Sequence, residues 1–379
     1  MTGNGSQRRW RSVRRYLNRS RAALTETAAR LADEWPRLEP ALITYQEWLP
    51  TRPVPLERVR LTWQPKSPTP RVTGTEPQSF LVRPLRDDGQ RYGSYAEAMR
   101  DVDPPGIFEN RPCYRLLGAT REGFGSTEAA ELRFGLTSYF EGISVSEAVA
   151  HELASACMGT AGRGGYGHLS RTDLPLRTLV GEPGDLESRP VAPALCTLTL
   201  RHEPGTGEVS FLMHRRDPDQ VASGGGMLQV APVGVFQPTG LSVPETLDPD
   251  FDLWRCMMRE FSEELLGSPE HTTVDYATWP FAQRLEEARE KGHCRPYYLG
   301  VGVDPLTLVA DLLTVVVFDA VTFDEVFADL VSGNQEGDLI AGIEFTEPNV
   351  LRYSRSESTQ PAGAAVLELA WRHRAALLA

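Results

Sequence analysis

One stretch of the chain carries apolar residues at every fourth position, Leu253, Met257, Phe261 and Leu265. This spacing is typical of an amphipathic helix that buries one stripe of its surface. The acidic, proline-containing segment 248–250 comes just before the stripe and favours a helix start. Gly267 and Pro269 follow the stripe and favour a helix end. The pattern therefore predicts one packed helix that ends before Gly267.

Alternating apolar and polar residues predict strands elsewhere in the chain. In the second half the predicted strands are 195–200, 209–213 and 339–345, and a turn at 203–207 joins the first two. In the first half the predicted strands are Val59–Trp63, 80–83 and 114–117. The predicted helices of the first half are 7–35, Tyr95–Val102, 128–132 and 145–158.

Length and composition predict two domains. A chain of 379 residues is long enough for two separate cores, and its hydrophobic content of 41% is ordinary for a soluble protein. The segment 181–193 is the predicted boundary. It separates an α+β domain of unknown role, residues 1–190, from a second domain, residues 191–379.

The sequence contains no long apolar run and no apolar core near its N-terminus, so we expect neither a membrane partner nor a signal peptide. The expected location is the cytoplasm. The cysteines are scattered without paired spacing, which favours reduced and buried thiols over disulfides or a zinc site. They are Cys113, Cys157, Cys196, Cys256 and Cys294.

A net charge of −12 argues against nonspecific nucleic-acid binding by the whole chain. The N-terminus differs locally, because seven arginines precede the first acidic residue, Glu26. They are Arg8, Arg9, Arg11, Arg14, Arg15, Arg19 and Arg21. This arm has two interpretations: a solvated helix start, which we favour, or a contact with nucleic acid, an acidic partner or an anionic membrane surface. A homodimer is a further open alternative.

Three carboxylates, Glu260, Glu263 and Glu264, lie three and four residues apart within the predicted helix. This spacing places them on one face, where Glu260 and Glu264 repel each other. A cation would reverse that penalty, and Mg²⁺ prefers such oxygen ligands together with substrate phosphates. The alternative is an ordinary solvated acidic face, paired with Arg255 and Arg259.

The segment 259–267 resembles the signature helix of the Nudix superfamily. In that signature an arginine and a glutamate, a hydrophobic residue, any residue and two glutamates follow a glycine-containing loop. Pro232 and Gly234, after a predicted strand, resemble the family's Pro-Gly-Gly turn. The resemblance implies a C-terminal α/β/α sandwich with a mixed sheet, preceded by a smaller α+β domain. The whole arrangement also resembles a group of actinobacterial two-domain proteins.

The sequence departs from the Nudix pattern in the loop before the helix. Phe251 and Glu245 stand where the family has a glutamate and a glycine. Leu266 occupies the position of the expected glycine, and Gly267 comes one place late. The loop is therefore rebuilt, which bears directly on whether the site is catalytically competent.

The resemblance implies roles for individual residues. Glu260, Glu263 and Glu264 would hold Mg²⁺ or Mn²⁺, and Arg259 would orient Glu264 through a charge-assisted hydrogen bond. Glu264 and Arg259 are therefore expected to be catalytic. Glu336, in a later loop, is the candidate further base or ligand; the alternative is a plain turn residue.

The expected contacts to substrate come from Arg215, Arg216 and Gly234. The two arginines end a strand that should point towards the pocket, although solvated surface is an equal alternative for them. Two functions remain open. One is Mg²⁺-dependent hydrolysis of a nucleoside diphosphate linked to another moiety, with a nucleotide-type small molecule as substrate. The other is a catalytically weak module that senses a nucleotide, since a fold does not determine its function.

Overall fold

Two β-sheets and the helices packed against them make up the part of the chain that the structure describes. The computed structural model describes residues 3–38, 40–122, 128–160, 169–217, 225–240, 249–334 and 337–379. These residues form a mixed α and β fold, in agreement with the predicted class at that level. No helix within these ranges has the length and apolar character that a membrane span requires.

Helices and strands are numbered in chain order. The helices are α1 (Gly3–Arg19), α2 (Arg21–Leu31), α3 (Tyr95–Val102), α4 (Tyr139–Thr160), α5 (Pro175–Val180), α6 (Leu253–Glu260), α7 (Pro280–Glu290), α8 (Ala320–Val326), α9 (Glu347–Ser354), α10 (Pro361–Arg372) and α11 (Arg374–Leu377). The strands are β1 (Arg37–Leu38), β2 (Leu42–Ile43), β3 (Val54–Pro55), β4 (Val59–Trp63), β5 (Pro112–Glu122), β6 (Ala129–Ser138), β7 (Ala194–Glu203), β8 (Glu208–Arg216), β9 (Leu228–Val230), β10 (Val233–Val235), β11 (Cys294–Val303), β12 (Ala310–Asp319), β13 (Gly333–Asn334) and β14 (Gly337–Glu344). A π-turn, Phe261–Leu265, continues α6. Short 3-10 helices are Gln46–Trp48, Leu56–Arg58, Pro77–Leu81, Arg171–Asp173 and Leu186–Ser188.

The larger sheet, sheet A, has eleven strands. Its main path runs β1-β2-β11-β12-β7-β8-β14-β13, while β3, β10 and β9 pair with β11, β7 and β8. Strands β7 and β12 are parallel, with Ala194 opposite Asp311 and His202 opposite Asp319. Parallel neighbours require a long crossover connection. Helices α6 and α7 lie in the chain that connects these two strands. The helix predicted to carry the three glutamates is therefore part of the crossover.

Helices cover sheet A on both faces, and β12 shows this in its side chains. Leu313 and Val315 belong to the core that includes α10, whereas Leu312 and Val316 belong to the core that includes α6 and α7. Successive residues of a strand point to opposite faces, so a strand covered on both sides is apolar throughout. The sheet therefore lies between helices.

The smaller sheet, sheet B, packs the first half of the chain against the second. Its order is β4-β6-β5, with β4 parallel and β5 antiparallel to β6. Trp63, Tyr114 and Phe134 from this sheet contact the rings of Phe236 and Phe251, with ring centroids 4.6–5.6 Å apart. Aromatic pairs at such distances add to the free energy of simple burial.

The first half of the chain also contributes strands to sheet A. Strand β1 pairs with β2, and both β2 and β3 pair with β11. One hydrophobic core contains residues from both sides of position 190. The boundary between residues 1–190 and 191–379 stays a prediction, and any division there would separate paired strands.

Most of the predicted elements are confirmed. Strand β4 and helix α3 have the predicted bounds, and the predicted strands 114–117, 195–200 and 209–213 lie inside β5, β7 and β8. The helical segment 7–35 divides into α1 and α2, and 145–158 lies inside α4. All five cysteines are buried, as expected.

Two predictions in the first half are wrong. Segment 128–132 has helix-forming residues, but strand β6 begins there because Ala130, Leu132 and Phe134 alternate into the core with a period of two. Segment 80–83 overlaps the 3-10 helix that begins at Pro77, and its apolar residues Phe80 and Leu81 are exposed. Pairing with other strands makes segment 128–132 a strand, and proline at a helix start favours the 3-10 helix that includes residues 80 and 81.

The packing predicts a large loss of stability for Phe261→Ala. Phe261 is fully buried, with Phe318 and Phe327 ring centroids at 5.6 and 5.5 Å. Removing such a ring leaves a cavity, so urea denaturation should show a loss of about 3–5 kcal/mol in the free energy of unfolding. The matched control is Phe80→Ala at an exposed position, which should cost less than about 1 kcal/mol. Near-native stability of Phe261→Ala would mean that another helix face is buried.

Candidate functional site

The helix that carries the three glutamates is fixed at both ends. Asp252 is its N-cap, and its side chain accepts a hydrogen bond of 3.0 Å from the backbone N–H of Arg255. The π-turn follows, and Gly267, with a φ of 66°, takes the left-handed conformation that favours glycine after a helix. π-turns change the direction of the side chains that follow them and are frequent at functional sites.

All three glutamates line one cleft. Its volume is about 530 Å³, and Glu260, Glu263 and Glu264 form part of its wall. Glu264 is buried, with 5% of its surface exposed, whereas Glu260 and Glu263 are half-buried. The structure thus brings together the carboxylates that were predicted to share a helix face. We call this space the glutamate cleft.

Gly234 also lines the glutamate cleft, where it allows the Glu260 carboxylate to lie against strand β10. A Cβ atom at position 234 would lie 1.8 Å from Cδ and 1.9 Å from Oε1 of Glu260. No side chain fits at that distance unless the carboxylate moves. Gly234, predicted as a substrate contact, therefore has a direct steric relation to one of the predicted metal ligands.

Strand β8 presents His214 and Arg216 to the glutamate cleft. Arg216 lines it, and His214 Nδ1 lies 3.8 Å from Oε2 of Glu264, with both residues buried. Arg215, between them, is exposed and does not contribute to the described lining. Neighbouring strand residues point to opposite faces, so the two arginines cannot both reach the cleft. Arg215 thus corresponds to the solvated alternative, and Arg216 is the arginine of the pair that lines the cleft.

His214 is a site residue that the sequence reasoning missed. The available signal is the alternation along β8, because Leu212 is buried on the same face as His214 and Arg216. A polar residue at a core-facing position of a strand is rare unless it has a role or a partner. Here the imidazole lies beside the carboxylate of Glu264, one of the predicted ligands.

Arg259 does not contact Glu264, contrary to the expected role. Its guanidinium instead donates to Asp250 Oδ1 at 2.9 Å, to the backbone oxygen of Gln237 at 2.7 Å and to the hydroxyl of Tyr276. The reason is geometric: Arg259 and Glu264 are five residues apart, so their side chains leave the helix in different directions. Arg259 thus ties the helix to the two segments that flank the rebuilt loop.

Asp250 is the centre of this buried network. Thr239 donates to its Oδ2 from both the backbone N–H, at 2.8 Å, and the hydroxyl, at 2.7 Å, and Tyr276 donates to Oδ1 at 2.6 Å. Burial alone would raise the pKa of Asp250, but these hydrogen bonds and the charge of Arg259 outweigh it and lower the pKa. The carboxylate is therefore ionised at neutral pH.

Other residues hold the rim of the glutamate cleft. Glu263 Oε1 accepts a hydrogen bond of 2.9 Å from the backbone N–H of His271. Across the cleft, Arg111 forms ion pairs with Glu109 and Glu270. Arg111 precedes strand β5 in the first half of the chain, so both halves contribute to this site. Sequence reasoning gave no signal for this long-range contribution.

The charge of the glutamate cleft is predominantly negative. The described lining contains five carboxylates and two guanidinium groups, from Glu109, Glu260, Glu263, Glu264, Glu270, Arg111 and Arg216. An anionic ligand alone would be repelled by this excess, whereas a divalent cation would be attracted.

The donor chemistry fits Mg²⁺ or Mn²⁺ as part of a complex with phosphate. Carboxylate oxygens are hard ligands, and Mg²⁺ usually takes one or two of them together with water and substrate phosphates. Among the residues that the structure describes, no group of three or more histidine, cysteine, aspartate or glutamate side chains is arranged to hold a metal ion. Glu336 lies outside the described residues, so its expected part in the site stays a prediction.

Comparison of the sequence with protein-family models and with curated proteins found no match. The function of this chain must therefore be inferred from the site itself.

The Asp250 network predicts a pH-dependent loss of stability for Asp250→Asn. Removing the carboxylate leaves Arg259 buried without its charged partner, which costs about 3–5 kcal/mol at pH 7. Because folding lowers the pKa of Asp250, its contribution is complete above the unfolded value of about 3.9 and disappears as the pH falls through the folded value. Urea denaturation between pH 7 and 3 should show a constant difference in the free energy of unfolding down to about pH 4, and a difference that narrows below it. The matched control is Asp329→Asn at an exposed position. A gap that stays constant down to pH 3 would contradict this account.

Proposed function

We propose that this protein is a divalent-cation-dependent hydrolase of the Nudix type, acting on a nucleoside diphosphate linked to another group. The observation that carries the proposal is the placement of Glu260, Glu263 and Glu264 on one wall of a cleft, at a helix that is capped and packed. Three carboxylates on one wall repel one another, and a bound divalent cation would relieve that repulsion, so their placement supports a cation-binding role.

The surroundings of the helix support the same reading. Sheet A is mixed, lies between helices and places β10, with Gly234, directly under the Glu260 carboxylate. From the resemblance to the Nudix superfamily we expect a glycine-containing turn beside the signature helix, and Gly234 lies at such a position. The Nudix type of the fold and of the chemistry remains part of the proposal.

Each group in the glutamate cleft has a chemical task in this proposal. A bound Mg²⁺ or Mn²⁺ would neutralise phosphate charge and lower the pKa of an attacking water. Glu260, Glu263 and Glu264 provide the oxygen ligands, and Arg216 attracts the phosphate that the cation does not neutralise. His214 Nδ1 lies 3.8 Å from Glu264 Oε2, so a protonated imidazole would attract that carboxylate. Glu336 keeps its role as the candidate base.

Arg259 acts as a positioning residue in this scheme. Its bonds to Asp250, Tyr276 and Gln237 fix the helix relative to the chain on either side of the rebuilt loop. Small displacements of a ligand set cost much activity, because reacting groups must be held within fractions of an ångström. The second candidate function, a nucleotide sensor, requires the same binding groups without efficient turnover.

The proposal predicts that Glu263→Gln and Glu264→Gln lose metal-dependent activity but keep the fold. Each substitution removes a ligand charge, so calorimetry should show divalent-ion binding weakened roughly 10- to 100-fold. The assay is a panel of dinucleotides, nucleotide sugars and nucleoside triphosphates with Mg²⁺ or Mn²⁺. The matched control is Glu290→Gln, an exposed glutamate of helix α7.

The outcomes of this assay separate the two candidate functions. Turnover that is lost in both variants supports the hydrolase. Binding of a nucleotide by the wild type without turnover supports the sensor. Failure of the wild type to bind Mg²⁺ or Mn²⁺, even with nucleotides present, would refute the metal assignment.

Gly234→Ala tests the position of Glu260 independently of its charge. The new methyl group would displace the carboxylate, which is the flexible end of a side chain, so the fold should remain stable. Metal affinity should fall by about 10- to 100-fold, as for other supporting residues of metal sites. The control is Gly159→Ala, since a Cβ there meets no atom within 4 Å. Unchanged metal affinity in Gly234→Ala would exclude Glu260 as a ligand.

A further inference from the structure

A second space adjoins the glutamate cleft on the side of the first half of the chain. Its volume is about 170 Å³, and it lies between helices α2 and α4, sheet A and the start of helix α10. We call it the inner cavity and define it by Thr25, Ser146, Gln229 and Asp311, which all line it. At roughly 30 Å³ per water molecule, its volume is that of about six waters, so it admits a ring-sized group.

The inner cavity and the glutamate cleft share part of their walls. Tyr139, Arg216 and Val233 line both spaces. The two spaces are therefore adjacent, so a ligand whose charged part lies beside the glutamates could place another part in the inner cavity. This arrangement matches a molecule that joins a diphosphate to a second chemical group.

The walls of the inner cavity are mainly aliphatic. Ile143 and Val145 come from helix α4, Val233 from strand β10, and Leu308 from the loop before β12. Ligand sites are typically apolar with a few convergent polar groups that determine orientation. Such walls suit a flat ring better than a sugar, whose hydroxyl groups would each need a partner.

Two buried polar side chains in the inner cavity have unused hydrogen-bonding capacity. Gln229 is 2% exposed, and its Oε1 accepts from the backbone N–H of Val230 at 3.1 Å, but its Nε2 makes no hydrogen bond to the described residues. Asp311 is 7% exposed, and its carboxyl group likewise makes none within the described chain. Both side chains line the inner cavity, so a ligand or water in it can supply their missing partners.

The hydroxyl groups of Thr25 and Ser146 complete the polar edge. Both residues are buried and line the inner cavity, and neither hydroxyl hydrogen-bonds to another described residue. A hydroxyl both donates and accepts, and the amide nitrogen of Gln229 donates. Thr25, Ser146 and Gln229 therefore offer donors and acceptors without a charge, while the same lining also includes the ionisable Arg21, Arg216 and Asp304.

Asp311 adds to this uncharged character. Burial raises its pKa well above the usual range, the negative charge of Asp304 acts in the same direction, and Arg216 only partly opposes them. A protonated carboxyl group offers one donor and one acceptor side by side. The edge of a heterocyclic ring that carries an amide or amidine group presents the complementary pair.

We propose that the inner cavity binds the nucleobase of the nucleotide whose diphosphate lies in the glutamate cleft. This inference rests on the proposed function for the position of the diphosphate. Gln229 and Asp311 contact the polar edge of the base, and the aliphatic residues contact its faces. Thr25 and Ser146 come from α2 and α4, so the first half of the chain contributes to the choice of base.

The test uses the full chain and unphosphorylated nucleosides without metal. Nucleosides lack the diphosphate that the glutamates would hold through a cation, so their binding reports on the inner cavity alone. Adenosine, guanosine, cytidine and uridine are titrated separately by calorimetry. At least one should bind, and Ser146→Leu, which fills the space, should weaken it about tenfold or more, as does loss of one buried hydrogen bond. The matched control is Ser12→Leu on helix α1, outside both spaces.

Asp311→Asn is the second variant, since it keeps the shape of the side chain if Ser146→Leu fails to fold. It replaces the acid proton by an amide and should change the order of affinities among the four nucleosides. An unchanged order and unchanged affinities in both variants would overturn the inference. So would failure of all four nucleosides to bind the wild-type chain.

These outcomes are distinguishable from failure of the proposed function. If metal-dependent hydrolysis persists but no nucleoside binds, the inner cavity holds another group and only this inference is wrong. If a nucleoside binds and Ser146→Leu weakens it, while Mg²⁺ and Mn²⁺ neither bind nor support turnover, the inner cavity is assigned correctly and the hydrolase proposal is wrong.

Discussion

The packing of one helix face determines the position of the candidate site. Met257, Phe261 and Leu265 are buried in the core on one side of sheet A, so the opposite face of α6 and its π-turn must carry the glutamates. Burial of these side chains is worth roughly 1.5–3 kcal/mol each, far more than the repulsion between neighbouring carboxylates. The hydrophobic effect thus keeps three acids on one wall of a cleft, although they repel one another.

Local sequence patterns predicted a helix or strand correctly where the intrinsic preference of the segment agrees with its tertiary contacts. Strand β4 and helix α3 are examples, because their periodicity and their burial coincide. Segment 128–132 shows the opposite case. Its alanines, glutamates and leucine favour a helix, but pairing with β5 and β4 on both sides places it in sheet B. Such pairing connects residues far apart in the chain, and no local pattern contains that information.

In the candidate site, too, local patterns predicted some features, whereas others depend on contacts between distant parts of the chain. The helical spacing was enough to bring Glu260, Glu263 and Glu264 together, whereas Arg215 and Arg216 were predicted alike and only the structure separates them. The partner of Arg259 was not predictable, because Asp250 and Tyr276 approach it through loops whose course no periodicity defines. Arg111 and the walls of the inner cavity were also missed, since they come from the first half of the chain.

A buried ion pair in the first half holds the polar edge of the inner cavity in place. Arg21 donates to both carboxylate oxygens of Glu147, at 2.9 and 2.8 Å, and both residues are buried. Such a pair adds little net stability, but it permits only one arrangement of α2 against α4. Thr25 lies one helical turn after Arg21, and Ser146 directly precedes Glu147. The ion pair therefore links the two helix segments that carry these hydroxyl groups. Substitutions there could alter the inner cavity without any change in the glutamates.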